Sequence, residues 1–105
     1  FTFVENVVQA NIKALFTENR EAVNQVYNTA FGESTTLLQL FDYIKDIAHS
    51  SLQPIFGDFR VGDIPHSLAN IDKAKKLLDY HPLISVKEGL RIAFEWYEKH
   101  HTFYQ

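Results

Sequence analysis

Cysteine is missing from the sequence, which excludes disulfide bonds and any chemistry that needs a thiolate. Long apolar runs are missing too, because none approaches the roughly 20 residues that a membrane-spanning helix needs. We therefore expect no membrane partner. There is also no methionine, and the chain begins inside a hydrophobic segment, Phe1–Val4. The simplest expectation is that residues 1–105 are a C-terminal piece of a longer polypeptide.

Positive charge is in short supply as well. Ten Lys and Arg residues against thirteen Asp and Glu give a formal net charge of −3, which provides no basic field for a nucleic-acid partner. The five histidines form no constellation with the spacing of a zinc site. The adjacent His100 and His101 would point to different faces of a helix. We expect no metal site in this chain.

The chain does contain enough apolar material for one folded domain. Hydrophobic residues make up 46% of the sequence and aromatic residues 14%, including nine Phe and five Tyr, which argues against disorder. A length of 105 residues fits a single domain that spans residues 1–105. No repeat, low-complexity run or linker divides the sequence.

Apolar residues recur at helical spacing in four segments, which predicts helices at about 4–17, 36–49, 71–78 and 85–97. Short runs rich in β-branched and aromatic residues predict an extended segment at Phe1–Val4 and strands at Val23–Thr29 and Pro54–Gly57. The predicted fold class is α/β, a small helix-rich domain with a few short strands. In the first helix the apolar positions that follow this spacing are Val4, Val8, Ile12 and Leu15.

Several polar and small residues have positions that favour structural roles. Thr36 is expected to cap its helix, and Ser85–Glu88 to form a capping box. Asn6 is expected to help cap the first helix, and Asn28 to satisfy backbone groups with its amide. Gly89 weakens the last helix by about 1 kcal/mol relative to Ala, and it is expected to allow close helix packing.

One loop combines residue types that favour ligand binding, Arg60-Val61-Gly62-Asp63-Ile64-Pro65-His66-Ser67. The guanidinium of Arg60 suits phosphate or carboxylate oxygens, and the carboxylate of Asp63 accepts hydrogen bonds from hydroxyls. Gly62 allows a close backbone approach, and Pro65 fixes the following turn. The alternative is an ordinary turn in which Arg60 pairs with Asp58 or Asp63.

Four segments together carry a family resemblance that extends over essentially the whole chain. They resemble motifs in the C-terminal part of the extended short-chain dehydrogenase/reductase family, and more narrowly of UDP-glucose and UDP-N-acetylglucosamine 4-epimerases. Each motif alone is weak, whereas four in the family's order form a fairly specific signal. The segments are Phe1–Val8, Val26–Glu33 with Ala30 where glycine is usual, Arg60–Leu78, and Glu88–Tyr97.

The resemblance implies roles for three residues of the loop. Arg60 would bind the diphosphate of a nucleotide-sugar, and Asp63 would accept from its ribose hydroxyls. Ser67 would line the sugar pocket as a small residue, leaving room for an N-acetyl group that a bulky tyrosine would exclude. UDP-sugar is thus the implied substrate-site partner.

Other parts of the family's machinery are absent from the sequence. Neither the Gly-rich dinucleotide fingerprint nor the catalytic Tyr-x-x-x-Lys is present. We therefore assign no catalytic and no cofactor-binding residue here, and expect this piece alone to be inactive. The resemblance implies NAD in the intact protein, together with a missing N-terminal NAD-binding domain.

Two alternatives stay open beside the epimerase. The chain could be the same region of a nucleotide-sugar dehydratase, decarboxylase or reductase, or it could be a non-enzymatic helical interaction module. A supply role in polysaccharide biosynthesis and a cytoplasmic location are the default expectations. Apolar faces without their partner domain also predict weak self-association.

Overall fold

A computed structural model describes residues 1–64 and 66–100, and within these ranges the chain is helical with no strand. The four predicted helices are confirmed. A short 3-10 turn follows the first of them at Arg20–Ala22. The α-helices are α1 Val4–Leu15, α2 Leu37–Ile47, α3 Asp72–Leu78 and α4 Val86–His100.

The predicted strands are wrong. A strand needs a neighbour to complete its ladder of hydrogen bonds, and no described segment provides one. Val23–Thr29 is an irregular segment held by side chains: the Tyr27 hydroxyl donates to the Ala22 carbonyl at 2.7 Å, and the Asn28 amide donates to the Asn70 carbonyl at 3.3 Å. The Asn28 contact confirms its predicted role. Residues 54–57 are mostly exposed, with Ile55 at 98%.

Local capping signals are mostly confirmed. The Thr36 hydroxyl accepts from the Gln39 backbone N–H, and the Gln39 side chain accepts from the Thr36 N–H, so α2 has a reciprocal capping box. At α4 the Ser85 hydroxyl accepts from the Glu88 N–H at 3.3 Å. The Glu88 carboxylate binds Arg91.

The core is small and lies where α1, the 3-10 turn and α3 meet. Tyr80 is completely buried, and its hydroxyl donates to the Ala30 carbonyl at 2.7 Å. Burial raises the pKa of the Tyr80 phenol, since the charged form would be poorly solvated. The buried hydrophobic residues are Ala10, Ala22, Ile71, Ala74, Leu78 and Tyr80.

A second contact joins α2 to α4. Gly89 of α4 lies against Phe3, because a Cβ placed on Gly89 would be 2.7–2.8 Å from the Phe3 side chain. Gly89 thus does allow a close approach, but the neighbour is the side chain of Phe3 at the N-cap of α1 rather than the predicted packed helix.

Helix α1 turns its apolar stripe of Val4, Val8, Ile12 and Leu15 outward. Its buried residues are Asn6 and Ala10. A helical period shows that an apolar stripe exists, but it does not show which body covers that stripe. The stripe residues are exposed by 62%, 47%, 52% and 75% at Val4, Val8, Ile12 and Leu15, respectively.

Asn6 does not cap α1. Phe3 is the N-cap residue, and it makes no side-chain capping bond. The Asn6 amide instead donates to the Ile84 carbonyl at 2.7 Å and accepts from the N–H groups of Leu83 and Ile84 at 3.0 and 3.1 Å. Asn6 thereby fixes the segment before α4 to α1.

None of the helices within the described ranges is long and apolar enough to cross a membrane.

Candidate functional site

The predicted site lies in the irregular segment that connects α2 to α3, residues 48–71. A turn at its centre is closed by the Asp63 N–H, which donates to the Arg60 carbonyl at 3.3 Å. Gly62 occupies the third position of this turn with φ 93°, a backbone conformation that a side chain would strain. Space is not the constraint, because nothing lies within 4 Å of a Cβ added there.

The turn presents its two charged residues to solvent. Arg60 and Asp63 are both exposed. Over residues 1–64 and 66–100, no hydrogen bond or ion pair involves either side chain. The alternative in which Arg60 pairs with Asp58 or Asp63 is therefore not seen here. Both groups are available to an external ligand.

Apart from Ile71 at its end, which belongs to the core, the large apolar residues of the same segment also point away from the core. Phe59 is 92% exposed, and Val61, on the turn itself, is fully exposed. Burying such a side chain would contribute about 1.5–3 kcal/mol, so leaving several in water forgoes a large driving force. The site loop therefore lacks a covering surface among the described residues of this chain.

Ser67 is exposed, and it directly precedes the rim of an open pocket of about 440 Å³. Neither Ser67 nor the Arg60 turn lines this pocket. One wall is Phe31–Glu33, and the other is Leu68–Asp72 together with Lys75. The structure thus places Ser67 beside the pocket and leaves Arg60 and Asp63 outside it.

Sequence reasoning missed the first wall of the pocket. Gly32 has φ 90°, as its predicted turn requires, and a Cβ there would meet the Ile71 side chain at 3.0 Å. This close approach brings the turn after Asn28 against the start of α3. The signal available in the sequence was Gly32 within the segment Val26–Glu33.

A surface ion cluster lies away from the loop, where the end of α3 meets α1. Lys13 Nζ lies 2.7 Å from one Asp79 carboxylate oxygen, and His81 Nε2 lies 3.0 Å from the other. The hydrogen bonds from Lys13 and His81 lower the pKa of Asp79. Within the described ranges, no group of His, Cys, Asp or Glu side chains is arranged to hold a metal ion.

On α4, Arg91 bridges the carboxylates of Glu88 and Glu95. The hydrogen bond from Arg91 lowers the pKa of Glu88, and the same contact raises the pKa of Arg91. These exposed pairs one turn apart support the helix and do not mark a reactive site.

Comparisons with known proteins identify related chains. No protein-family model matches the sequence. A putative UDP-glucose 4-epimerase of Methanocaldococcus jannaschii is 30% identical over 91% of this chain and 30% of its own length. A UDP-glucuronate 4-epimerase of Thermodesulfobacterium geofontis is 25% identical over 91% of this chain and 29% of its own. A UDP-N-acetyl-alpha-D-glucosaminuronate decarboxylase of Bacillus cytotoxicus is 24% identical over 94% of this chain and 32% of its own.

Solved structures give the same result. The UDP-glucose 4-epimerase of Thermotoga maritima, crystallised with UDP-glucose, matches with a TM-score of 0.85 and 33% identity over 94% of this chain and 31% of its own. The UDP-glucuronic acid 4-epimerase of Bacillus cereus shares the fold, with a TM-score of 0.85 at 24% identity over the same shares of the two chains. The chain spans about three-tenths of the length of these proteins. The resemblance is confirmed: over more than nine-tenths of its length, the chain is similar to part of the UDP-sugar epimerases and decarboxylases of the extended short-chain dehydrogenase/reductase family.

Proposed function

We propose that residues 1–105 are the C-terminal, nucleotide-sugar-binding region of an NAD-dependent UDP-sugar 4-epimerase, and that the loop at residues 58–67 holds the nucleotide. The observation that carries this proposal is the Arg60–Asp63 turn. It exposes a cation and a carboxylate that have no partner in the described part of the chain, in a protein whose relatives are named for UDP-sugars.

The two charged groups suit the two ends of a ribose diphosphate. The planar fork of Arg60 can donate two parallel hydrogen bonds to phosphate oxygens, a geometry that lysine cannot reproduce. The Asp63 carboxylate can accept from the vicinal hydroxyls of a ribose. Hydrogen bonds to charged groups contribute about 1.5–3 kcal/mol each, which gives the pair enough energy to orient a nucleotide.

Ser67 is assigned to the sugar end of the site. A serine leaves a volume that a phenol ring would fill, so the site would accept an acetamido substituent. Ser67 does not line the pocket formed by Phe31–Glu33 and Leu68–Asp72, but it is the residue next to that wall in the chain, which supports this role.

The residues of this chain do not fit a binding site for NAD. The four glycines, at positions 32, 57, 62 and 89, include none that follows a strand and opens a helix, which is the setting of a dinucleotide phosphate site. NAD would therefore be held by another part of the intact protein, and no catalytic step is assigned to this chain. Its task would be to bind and orient the substrate.

A decarboxylase is the second candidate, because one relative is a UDP-N-acetyl-alpha-D-glucosaminuronate decarboxylase of similar identity. The proposed roles of Arg60 and Asp63 are the same in both enzymes, since both would recognise the nucleotide half of the substrate. The two reactions would differ in groups outside this chain.

Titration of the chain with UDP and UDP-N-acetylglucosamine, followed by amide NMR, tests the proposal. We expect shifts confined to residues 58–67 and their immediate neighbours, and the same shifts with both ligands at the Arg60 turn. N-acetylglucosamine without a nucleotide is the control and should leave that turn unchanged. Shifts centred on another surface, or shifts that persist in Arg60→Ala, would contradict the proposal.

A further inference from the structure

Phe59 immediately precedes the Arg60 turn, and its ring lies in solvent. The side chain is 92% exposed. Across the described part of the chain, it takes part in no ring stacking and no cation–π contact. A single exposed apolar residue is common on protein surfaces. Phe59 differs because it lies beside a cation and a carboxylate that are also exposed and without partners in the described ranges.

The turn brings Phe59 close to both charged groups. Arg60 and Asp63 are the first and last residues of the turn, since the Asp63 N–H donates to the Arg60 carbonyl at 3.3 Å and Gly62 has φ 93°. The Cα atoms at the two ends of such a turn lie within about 7 Å of each other. The Cα atom of Phe59 lies ~3.8 Å from that of Arg60. An aromatic ring, a guanidinium and a carboxylate are therefore attached to the same end of this loop.

The other large apolar residues near the turn are less suited to contact a planar ligand group. Val61 and Ile64 are exposed, but they are aliphatic and offer no π face. Phe56 has a ring that is 76% exposed. It lies four residues before Arg60, a separation of up to about 14 Å in an extended chain. Phe59 is thus the phenylalanine that adjoins the turn.

The base of the nucleotide still lacks a partner among the residues assigned so far. A nucleoside diphosphate joins its parts in the order diphosphate, ribose and base, and the proposed function assigns the first to Arg60 and the second to Asp63. We propose that the ring of Phe59 stacks on the pyrimidine base of the bound nucleotide. This inference rests on the proposed function, and it adds a base-binding residue to the same site.

Stacking on Phe59 would contribute affinity without selecting the base. Every nucleobase has a π face, so an aromatic side chain accepts different bases with similar strength. The contact also removes an exposed apolar ring from water when the nucleotide binds. We therefore expect UDP and CDP to depend on Phe59 to the same extent.

Calorimetry on the full translated product of the gene separates the ring from the rest of the loop. Phe59→Ala removes the side chain, Phe59→Leu keeps apolar bulk without a ring, and Phe59→Tyr keeps the ring. The probes are UDP and ribose 5-diphosphate, which lacks the base. We expect Phe59→Ala and Phe59→Leu to weaken UDP binding about five- to a hundredfold, and Phe59→Tyr to bind UDP as the wild type does. None of the three should change the affinity for ribose 5-diphosphate, whereas Arg60→Ala should weaken the binding of both ligands.

Proton NMR of the bound ligand gives a second readout that a purely structural role of Phe59 would not produce. A ring stacked on uracil shifts the H5 and H6 resonances of the base upfield. This shift should be present with the wild type and with Phe59→Tyr, and absent with Phe59→Leu.

The outcomes distinguish the stacking from the proposed function. Unchanged UDP affinity in Phe59→Ala and Phe59→Leu, with Arg60→Ala still weakening both ligands, would overturn the stacking and leave the proposed function in place. Equal losses for UDP and ribose 5-diphosphate would also overturn it, because Phe59 would then act on the shape of the loop. Failure of the wild type to bind UDP, or unchanged binding of both ligands by Arg60→Ala, would remove the proposed function and the stacking with it.

Discussion

Asn6 shows how one buried amide can decide the arrangement of two elements. All three hydrogen bonds of its side chain go to the backbone of Leu83 and Ile84, which lie 77 and 78 residues later in the sequence. We predict that Asn6→Ala destabilises the chain by about 1–3 kcal/mol, because it removes three hydrogen bonds from a buried amide and leaves the part-buried backbone groups of Leu83 and Ile84 without these partners.

Urea unfolding monitored by circular dichroism measures this loss. Asn11→Ala is the matched control, since Asn11 is an exposed asparagine of the same helix. It should change the free energy of unfolding by less than about 0.5 kcal/mol. Similar effects of the two substitutions would show that the hydrogen bonds of the Asn6 side chain are not important for stability.

Gly89 is the second position where a single residue controls packing. A methyl group there would lie 2.7–2.8 Å from Phe3, a distance that requires the neighbour to move. We predict that Gly89→Ala lowers the free energy of unfolding by about 1–3 kcal/mol, although alanine is the better helix former.

A double-mutant cycle with Phe3→Ala tests the cause of this effect. In the Phe3→Ala background, Gly89→Ala should lower the free energy of unfolding by less than it does in the wild type, because the ring contacts at 2.7 Å are gone and only the contact with the residue 3 Cβ at 2.8 Å remains. An equal loss in both backgrounds would contradict the packing explanation.

Asp79 makes stability depend on pH. Its pKa lies below the ordinary value of 3.8 because of the hydrogen bonds from Lys13 and His81. A carboxylate with a lowered pKa in the folded state contributes stability above its unfolded pKa, and that contribution is lost as pH falls through the folded pKa. Melting temperatures of the wild type and Asp79→Asn should therefore differ at neutral pH and converge as the pH falls below the ordinary carboxyl pKa and through the lowered pKa of Asp79.

Asparagine is the suitable replacement here, because residue 79 has φ 53° and asparagine tolerates this conformation. The difference at neutral pH should be small, since the Asp79 side chain is 74% exposed. A difference in melting temperature that stays constant with pH would refute an ionic origin.

At the scale of elements, the positions where helices begin were predictable from the sequence. The surfaces that each helix contacts were not. Thr36 and Ser85 act within one turn of the chain, so their caps follow from local sequence alone. The strands at Val23–Thr29 and Pro54–Gly57 failed because a strand needs a partner that local sequence cannot supply. The stripe of α1 was found, but its outward orientation follows from Asn6 and residues 83–84, which lie far apart in sequence.

The capping box of α2 gives a prediction at this scale. Thr36→Ala should destabilise the chain by about 1 kcal/mol, since the Gln39 N–H loses its acceptor and Gln39 loses its orientation. Thr36→Ser retains the hydroxyl and should remain within a few tenths of a kcal/mol of the wild type. Thermal or urea unfolding with helix content as the readout compares the two, and equal losses would contradict the capping role.

The residue types of the candidate site could be predicted from the sequence, but the arrangement of those residues in space could be predicted only in part. Arg60, Asp63 and Ser67 stood out as a loop motif, and the exposure of the Arg60 turn agrees with a binding role. The pocket beside Ser67 was not predicted, because its other wall comes from the turn at Gly32, more than thirty residues earlier. The two walls meet because Gly32 lies close to Ile71, and local sequence patterns do not predict a contact between residues so far apart in the chain.

As a whole, the molecule is extended for its length. Its radius of gyration is 17.0 Å, and its extents are 51 × 34 × 22 Å, whereas a compact domain of this length has a radius near about 13 Å. Exposed apolar residues occur both on α1 and in the loop that carries Arg60. Both surfaces are uncovered among the described residues of a chain that spans three-tenths of the length of its relatives. Weak self-association remains a prediction on the same grounds.

The binding of UDP to the full translated product of the gene, measured by calorimetry, tests the central claim most directly. Arg60→Ala should weaken binding on the order of ten- to a hundredfold, because it removes charge-assisted hydrogen bonds to the diphosphate. Arg20→Ala, which removes an exposed arginine of the 3-10 turn, should leave the affinity unchanged. Equal affinities for the wild type and Arg60→Ala would contradict the account.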